Sequence, residues 1–256
     1  MANYFWRKSR NVIKNEGLAV FLSKSAKYIF SPVRVFFDKL MTKLFAGCYK
    51  KGFHKLFYYT FLTDMAGHDK DIRWFGAITS KLPLDMWIYQ EVIWDTKPDF
   101  IIETGTDRGG SALFFATLFD SLGKGEVITI DINDNSQNVS HPRIKKIIGD
   151  SVSPEVARRV KEMVGKGKAI VMLDSDHKKY HVSKEMKLYS QFVPLGGYMV
   201  VEDTNINGHP VMPGWGPGPM EAVKEFLKER DDFQIDKTKE KFLATFYPNG
   251  FLKRIK

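Results

Sequence analysis

Short apolar runs recur from about residue 83 onward, each followed by a stretch of helical length, and this alternation limits the fold more than any other feature of the chain. Leu84–Trp94 reads as a helix that stops before Pro98. Asp99–Glu103 is a run suited to a strand covered on both faces, and a helix from Ser111 to Leu122 follows it. Further strands are predicted at Glu126–Asp131, Arg143–Ile148, Ala169–Asp174 and Tyr198–Asp203, and helices at Pro154–Val164, His181–Val193 and Met220–Arg230. Two closing strands are predicted near Phe233–Ile235 and Phe242–Tyr247. The pattern implies an α/β fold with a doubly wound, mostly parallel seven-stranded sheet, whose ligands bind beyond the carboxyl ends of the strands.

The chain before about residue 75 has a different character, so the sequence divides into a leader, 1–75, and a domain, 76–256. Residues 1–60 carry twelve lysines and arginines against Glu16 and Asp38, which leaves the rest close to neutral within an overall charge of +9. A basic leader on a neutral domain argues against nucleic acid as partner. The leader is rich in aromatic residues (Tyr4, Phe5, Trp6, Phe21, Tyr28, Phe30), and Val33, Phe36, Phe37, Leu40, Leu44 and Phe45 recur at helical spacing with Arg34, Lys39 and Lys43 between them. Such a helical appendage suits a cap on the domain or a homo-oligomer contact; peripheral contact of residues 1–60 with an anionic membrane is the alternative. One cysteine, Cys48, excludes an internal disulfide and any cysteine-rich zinc module. No uncharged apolar run approaches membrane-spanning length, and Lys14 and Glu16 interrupt the stretch after Arg7, Lys8 and Arg10 where a secretory signal would need to be apolar. These features predict a cytoplasmic protein, with the inner face of the membrane as its second location.

Carboxylates and glycines collect where the strands are predicted to end. The first strand runs into Glu103-Thr-Gly-Thr-Asp-Arg-Gly-Gly-Ser111, with spacing Gly-x-x-x-Gly-Gly rather than the dinucleotide fingerprint Gly-x-Gly-x-x-Gly. Glycines at such a turn let backbone approach a ligand, although close packing alone also calls for them. Asp131 ends the second strand, where a carboxylate can accept both hydroxyls of a ribose. Asp150 follows the third, within reach of an adenine amino group. Together they predict a nucleoside-bearing cofactor. A second set, Asp174-Ser-Asp-His177 and Glu202-Asp203, ends the fourth and fifth strands. Carboxylates brought together repel one another, and a hard divalent ion, Mg²⁺ or Mn²⁺, relieves that cost. A zinc site using Asp174, His177 and His181 is the weaker alternative, because no cysteine or further nearby histidine completes it.

From about Trp74 to the C-terminus the chain resembles the cephalosporin hydroxylase family, with its rhamnosyl O-methyltransferase-like members, among the class I S-adenosylmethionine-dependent methyltransferases with Rossmann-like folds. The resemblance rests on Pro98–Ala112, Leu173–His177 with His181-Val, Val201–Asn205, Asn207–Val211, Gly216–Pro219 and Glu240–Leu243. It implies that the turn containing Glu103, Gly105, Thr106, Gly109 and Ser111, together with Asp131, holds S-adenosylmethionine, and that Asp150 faces its adenine. It also implies that Asp174, Glu202 and Asp203 ligate Mg²⁺. Related sugar O-methyltransferases carry a histidine three residues after the first metal aspartate, the position of His177, which makes His177 the candidate catalytic base. No two-histidine, one-carboxylate iron triad is present despite the family's title. The implied activity is O-methylation of a hydroxyl on a sugar, in a polysaccharide, glycolipid or glycosylated metabolite. The rival readings are a nucleotide-dependent oxidoreductase or sugar-nucleotide enzyme, and a non-catalytic membrane-associated scaffold. The loop Asn205–Pro219, with Trp215, reads as a lid over substrate, with a rigid crossover that does not touch substrate as the alternative.

Overall fold

The computed structural model describes residues 14, 18–61, 71–136 and 138–256. The start of the basic leader, including Tyr4–Trp6, Arg7, Lys8, Arg10 and Glu16, lies outside the described residues, as do 62–70. The chain divides into two compact units, Met1–Lys51 and Gly52–Lys256. The first unit holds most of a 44-residue helix, α1 (Leu18–Phe61), which contains Pro32. Phe36, Phe37 and Leu44 are exposed on it, and Arg34 lies 3.9 Å from Asp38 one turn on.

The last residues of α1, from Gly52 on, belong with the second unit. His54 is buried against Phe246, and Phe57 and Tyr58 add edge contacts to the same ring. A two-stranded hairpin follows, β1 (Arg73–Trp74) and β2 (Ala77–Ile78), and then helix α2 (Pro83–Thr96). The alternating region comprises β3 (Phe100–Thr104), α3 (Gly110–Leu122), β4 (Glu126–Asp131), β5 (Ile144–Ile148), α4 (Pro154–Val164), β6 (Ala169–Leu173), α5 (Lys179–Tyr189), β7 (Tyr198–Val201), α6 (Pro219–Glu229), β8 (Phe233–Ile235) and β9 (Phe251–Arg254).

Seven of these strands form one sheet in the order β5-β4-β3-β6-β7-β9-β8. Strands β3 to β7 pair in parallel, and β9 runs antiparallel between β7 and β8. This is the doubly wound sheet the sequence predicts. Alternate residues supply its two cores. Ile101, Ile170 and Met172 face α2 and α3, while Ile102, Val171 and Leu173 face α4, α5 and α6. Burial on both faces explains why the central strands are continuously apolar. The chain leaves β3 for β4 on one side and returns to β6 on the other, which opens a crevice between the carboxyl ends of β3 and β6.

The predicted strand at Phe242–Tyr247 does not form; the last strand is Phe251–Arg254. Residues 242–247 are apolar because Ala244, Phe246 and Tyr247 are buried as irregular chain. Two of their backbone groups donate to side chains: Phe246 N to Asp85 Oδ2 at 2.8 Å and Tyr247 N to Thr245 Oγ1 at 3.0 Å. The turn Pro248-Asn-Gly250, closed by Gly250 N donating to Tyr247 O, then starts the strand.

Asp85, 1% exposed on α2, therefore fastens the C-terminal segment. Burial is the largest influence on its carboxyl and raises it to about 7 from an ordinary 3.8, against the hydrogen bonds from Thr245 and Phe246. The unfolded chain releases this proton at lower pH than the folded protein. The contribution of Asp85 to stability thus falls as pH rises from about 4 and levels off above about 7. Asp85→Asn keeps the acceptor for Phe246 N and removes the titration. Urea unfolding should show the variant gaining about 2 kcal/mol relative to the unsubstituted protein between pH 5 and 7.5; an equal difference at both pH values would contradict the assignment.

Candidate active site

The crevice is lined by a cleft of about 480 Å³ that runs past the ends of β3, β4, β5 and β6. Of the residues expected to hold a cofactor, Gly105, Asp131 and Asp150 line it. Asp131 accepts hydrogen bonds from Asp107 N (2.9 Å) and Asn133 N (3.0 Å), and Asp150 from Val152 N (3.0 Å), which fixes both carboxylates at the rim. Glu103, Thr106 and Ser111 are buried instead. Thr129 Oγ1 donates to Glu103 Oε2 at 2.7 Å and lies 2.6 Å from Thr106 Oγ1, and burial raises the Glu103 carboxyl above its usual range. Gly109 caps α3 with φ 78°, against Ser136 and Val139.

The glycine turn is shaped by the protein's own packing as well. Gly105 has φ +87°, and a Cβ there would stand 1.9 Å from the carbonyl oxygen of Asp174. The residue is glycine because the ends of β3 and β6 pass in contact, and that contact brings the glycine turn beside Asp174.

Asp174 and Glu202 follow strands whose final ladder bonds set their positions: Asp174 N donates to Thr104 O and Glu202 N to Leu173 O, both at 3.0 Å. Ligand-capable atoms of Asp174, His177 and Asp203 lie within 4.8 Å of one another. His177 Nε2 is 3.2 Å from Asp174 Oδ1, and its Nδ1 is 3.3 Å from Asp203 Oδ2. Asp203 adopts φ 50°, a left-handed turn that aspartate tolerates better than most residues. Glu202 points elsewhere, since successive residues at a strand end face opposite sides. Its Oε2 accepts from Lys81 Nζ at 2.6 Å and its Oε1 from Tyr89 OH at 2.6 Å. Lys81 Nζ also donates to Asp174 Oδ2 at 2.7 Å. The side chains of Lys81 and Glu202 are 3% and 1% exposed, whereas Asp174, His177 and Asp203 are near one quarter, so a sealed floor lies beneath an open mouth.

Electrostatics follow from this geometry. Burial opposes charge on Lys81, but Asp174, Glu202 and Glu103 outweigh it and hold the ammonium firmly protonated. Burial and the Asp174 charge push the Glu202 carboxyl upward, whereas Asp174, beside Lys81 and His177, stays low despite its own burial. The donor set fits a divalent cation: Asp174 and Asp203 offer oxygens at the mouth with an imidazole between them. The crevice fits a nucleoside-bearing cofactor too, because the carboxylates of Asp131 and Asp150 line it at the ends of neighbouring strands. The zinc alternative is not assembled. His181 Nε2 lies 3.0 Å from Ser151 Oγ and 3.5 Å from Glu185, and it lines the cleft rather than joining His177.

Sequence reasoning missed Lys81, Tyr89 and the buried set around Glu185, whose Oε1 accepts from Ser151 Oγ at 2.5 Å and Ser175 Oγ at 2.7 Å. The loop read as a lid is tied down in this structure. Trp215 Nε1 donates to the carbonyl of His177 at 3.2 Å, and Lys178 Nζ lies 4.3 Å over the Trp215 ring.

Burial works against the imidazolium of His177, but Asp203 and Asp174 prevail and raise it to about 9 from 6.5. Its stabilising contribution is complete below about pH 6.5 and is lost as the pH rises through 9. In chelator-treated protein, NMR should find this ring titrating near 9, and Asp203→Asn should lower it by roughly one unit or more. Titration at the ordinary value in both proteins would contradict the ion-pair geometry.

The family Rhamnosyl O-methyltransferase/CmcI matches residues 67–255. The rhamnosyl O-methyltransferase of Mycobacterium tuberculosis is 41% identical over 181 residues, 66% of this chain and 73% of that protein. The rhamnosyl O-methyltransferase of Mycobacterium leprae is 38% identical over 209 residues, 79% of this chain and 89% of its own. Among solved structures, the apo form of CmcI shares the fold with TM-score 0.58 at 22% identity, covering 76% of this chain and 81% of CmcI. An Mg-SAM structure of CmcI gives TM-score 0.58 at 20% identity, with the same coverage. With this fold, this crevice and these relatives, the chain belongs to the rhamnosyl O-methyltransferase/CmcI family.

Proposed function

We propose that the protein is an S-adenosylmethionine- and divalent-metal-dependent O-methyltransferase acting on a hydroxyl of a sugar. One observation carries the reading: Asp174 lines the cofactor cleft and also belongs to the cluster with His177 and Asp203. A methyl donor in the cleft and a hydroxyl at the cluster would therefore meet across a single side chain. The names of the relatives point to a rhamnosyl acceptor and support a sugar over the oxidoreductase and scaffold readings.

When bound, S-adenosylmethionine supplies an electrophilic methyl group and Mg²⁺ or Mn²⁺ supplies a Lewis acid that makes a hydroxyl more acidic. Gly105, Asp131 and Asp150 line the space for the cofactor, with Asp131 suited to a ribose diol. Glu103, Thr106 and Ser111 brace the turn from beneath, and Gly109 sets the start of α3. Asp174 and Asp203 would hold the ion, with Glu202 as the third carboxylate expected from sequence, here held by Lys81 and Tyr89. His177 is the candidate base. It bears a proton while both its nitrogens face carboxylates, and it can accept one at Nδ1 or Nε2 once Asp174 and Asp203 are engaged elsewhere. The rest of the catalytic contribution is positioning, because attack on a methyl group requires the oxygen in line and within roughly 3–3.5 Å.

The leader extends the proposal. Phe36, Phe37 and Leu44 are exposed on α1, and Lys39 and Lys43 lie on the same stretch. Among the described residues no helix is long and apolar enough to cross a membrane. This surface suits peripheral contact with an anionic inner leaflet, near a lipid-linked sugar acceptor; a contact between copies of the chain is the alternative.

Transfer of labelled methyl from S-adenosylmethionine to a rhamnosyl glycoside tests the activity. Chelator should abolish transfer and Mg²⁺ restore it. Asp174→Asn should reduce turnover by at least about 100-fold while calorimetry finds cofactor affinity within about threefold, since Asp131 and Asp150 lie on other strands. Full activity in excess chelator would overturn the metal role. For the leader, Lys39→Glu with Lys43→Glu should weaken pelleting with phosphatidylglycerol vesicles at low salt; undiminished pelleting would remove the membrane contact.

A further inference from the structure

Lys81 is the only lysine or arginine buried among the described residues, and it enters the carboxylate floor from the segment just before α2. Its neighbours Thr79 and Leu82 are buried as well. It bridges Asp174 and Glu202 at 2.7 and 2.6 Å, and Tyr89 holds the remaining Glu202 oxygen at 2.6 Å. Without that charge, Asp174, Glu202 and Asp203 would meet at two adjacent strand ends with only His177 to offset them, an arrangement that destabilises a fold. With it, two of the carboxylates already have a cation when a divalent ion arrives.

We propose that Lys81 sets the affinity of the divalent-ion site, because its ammonium and the ion compete for the carboxylates of Asp174 and Glu202. The inference rests on the metal-dependent reading above. Lys81 does not touch reacting atoms; it is a positioning residue that keeps the carboxylates together in the metal-free protein and weakens the ion's hold on them. Two consequences follow with opposite signs. Removing the charge lowers the stability of the metal-free protein, and it tightens ion binding by relieving repulsion and freeing Glu202. A purely structural lysine would produce only the first effect.

Mn²⁺ titration followed by electron paramagnetic resonance, with thermal unfolding in chelator and in Mn²⁺, separates these cases for the full chain and its Lys81→Met and Lys81→Arg variants. Lys81→Met is expected to bind Mn²⁺ about tenfold more tightly or better, to melt lower in chelator, and to gain more from Mn²⁺ than the unsubstituted protein. Lys81→Arg, which keeps the charge, should stay within about threefold of the unsubstituted affinity. Equal or weaker Mn²⁺ binding by folded Lys81→Met overturns the inference. If Lys81→Met unfolds in chelator, refolding by Mn²⁺ at concentrations below the unsubstituted protein's Kd supports the competition, and failure to refold overturns it. Absence of Mn²⁺ binding to the unsubstituted protein would instead remove the metal-dependent reading itself.

Discussion

Three carboxylates at the ends of two adjacent parallel strands must share a small, partly dry space, and most of the site's features follow from how their charge is met. Asp174, Glu202 and Asp203 are carried there by β6 and β7, whose pairing leaves no freedom to separate them. Lys81 compensates from below and His177 from within, so the carboxylates join a network of ion pairs in place of a set of repelling anions. The same network leaves Asp174 and Asp203 at the open mouth, where a divalent ion can reach them.

The sheet's topology places this charge problem next to the cofactor cleft. The switch between β3 and β6 opens the crevice, and the contact of Gly105 with the carbonyl of Asp174 brings the two halves within one residue of each other. Two features that lie far apart in the sequence, a glycine turn and an acidic cluster, are made adjacent by a single strand exchange. A rigid sheet edge suits a reaction in which positioning supplies most of the acceleration.

Much of this was legible in the chain. Continuous apolar runs marked the strands because helices cover both faces of the sheet, and carboxylates directly after those runs had to lie at its carboxyl edge. What escaped depended on contacts made over long separations. Lys81 precedes Asp174 by 93 residues, and nothing local distinguishes it from the solvated lysines elsewhere. The direction of Glu202 follows from side-chain alternation at a strand end, but its partners Lys81 and Tyr89 come from the region of α2. Phe242–Tyr247 reads as a strand because it is more apolar than Phe251–Arg254; its apolar residues instead fill the core as irregular chain fastened by Asp85, and the Pro248-Asn-Gly turn was the available signal for the later strand.

This acidic edge would hold a divalent ion beside the methyl donor. Anomalous diffraction from crystals grown with Mn²⁺ and S-adenosylmethionine tests it most directly. One strong peak bonded to carboxylate oxygens of Asp174 and Asp203 is expected, with cofactor density running past Asp131. A cofactor-filled cleft with no anomalous peak at those carboxylates, under saturating Mn²⁺, would contradict it.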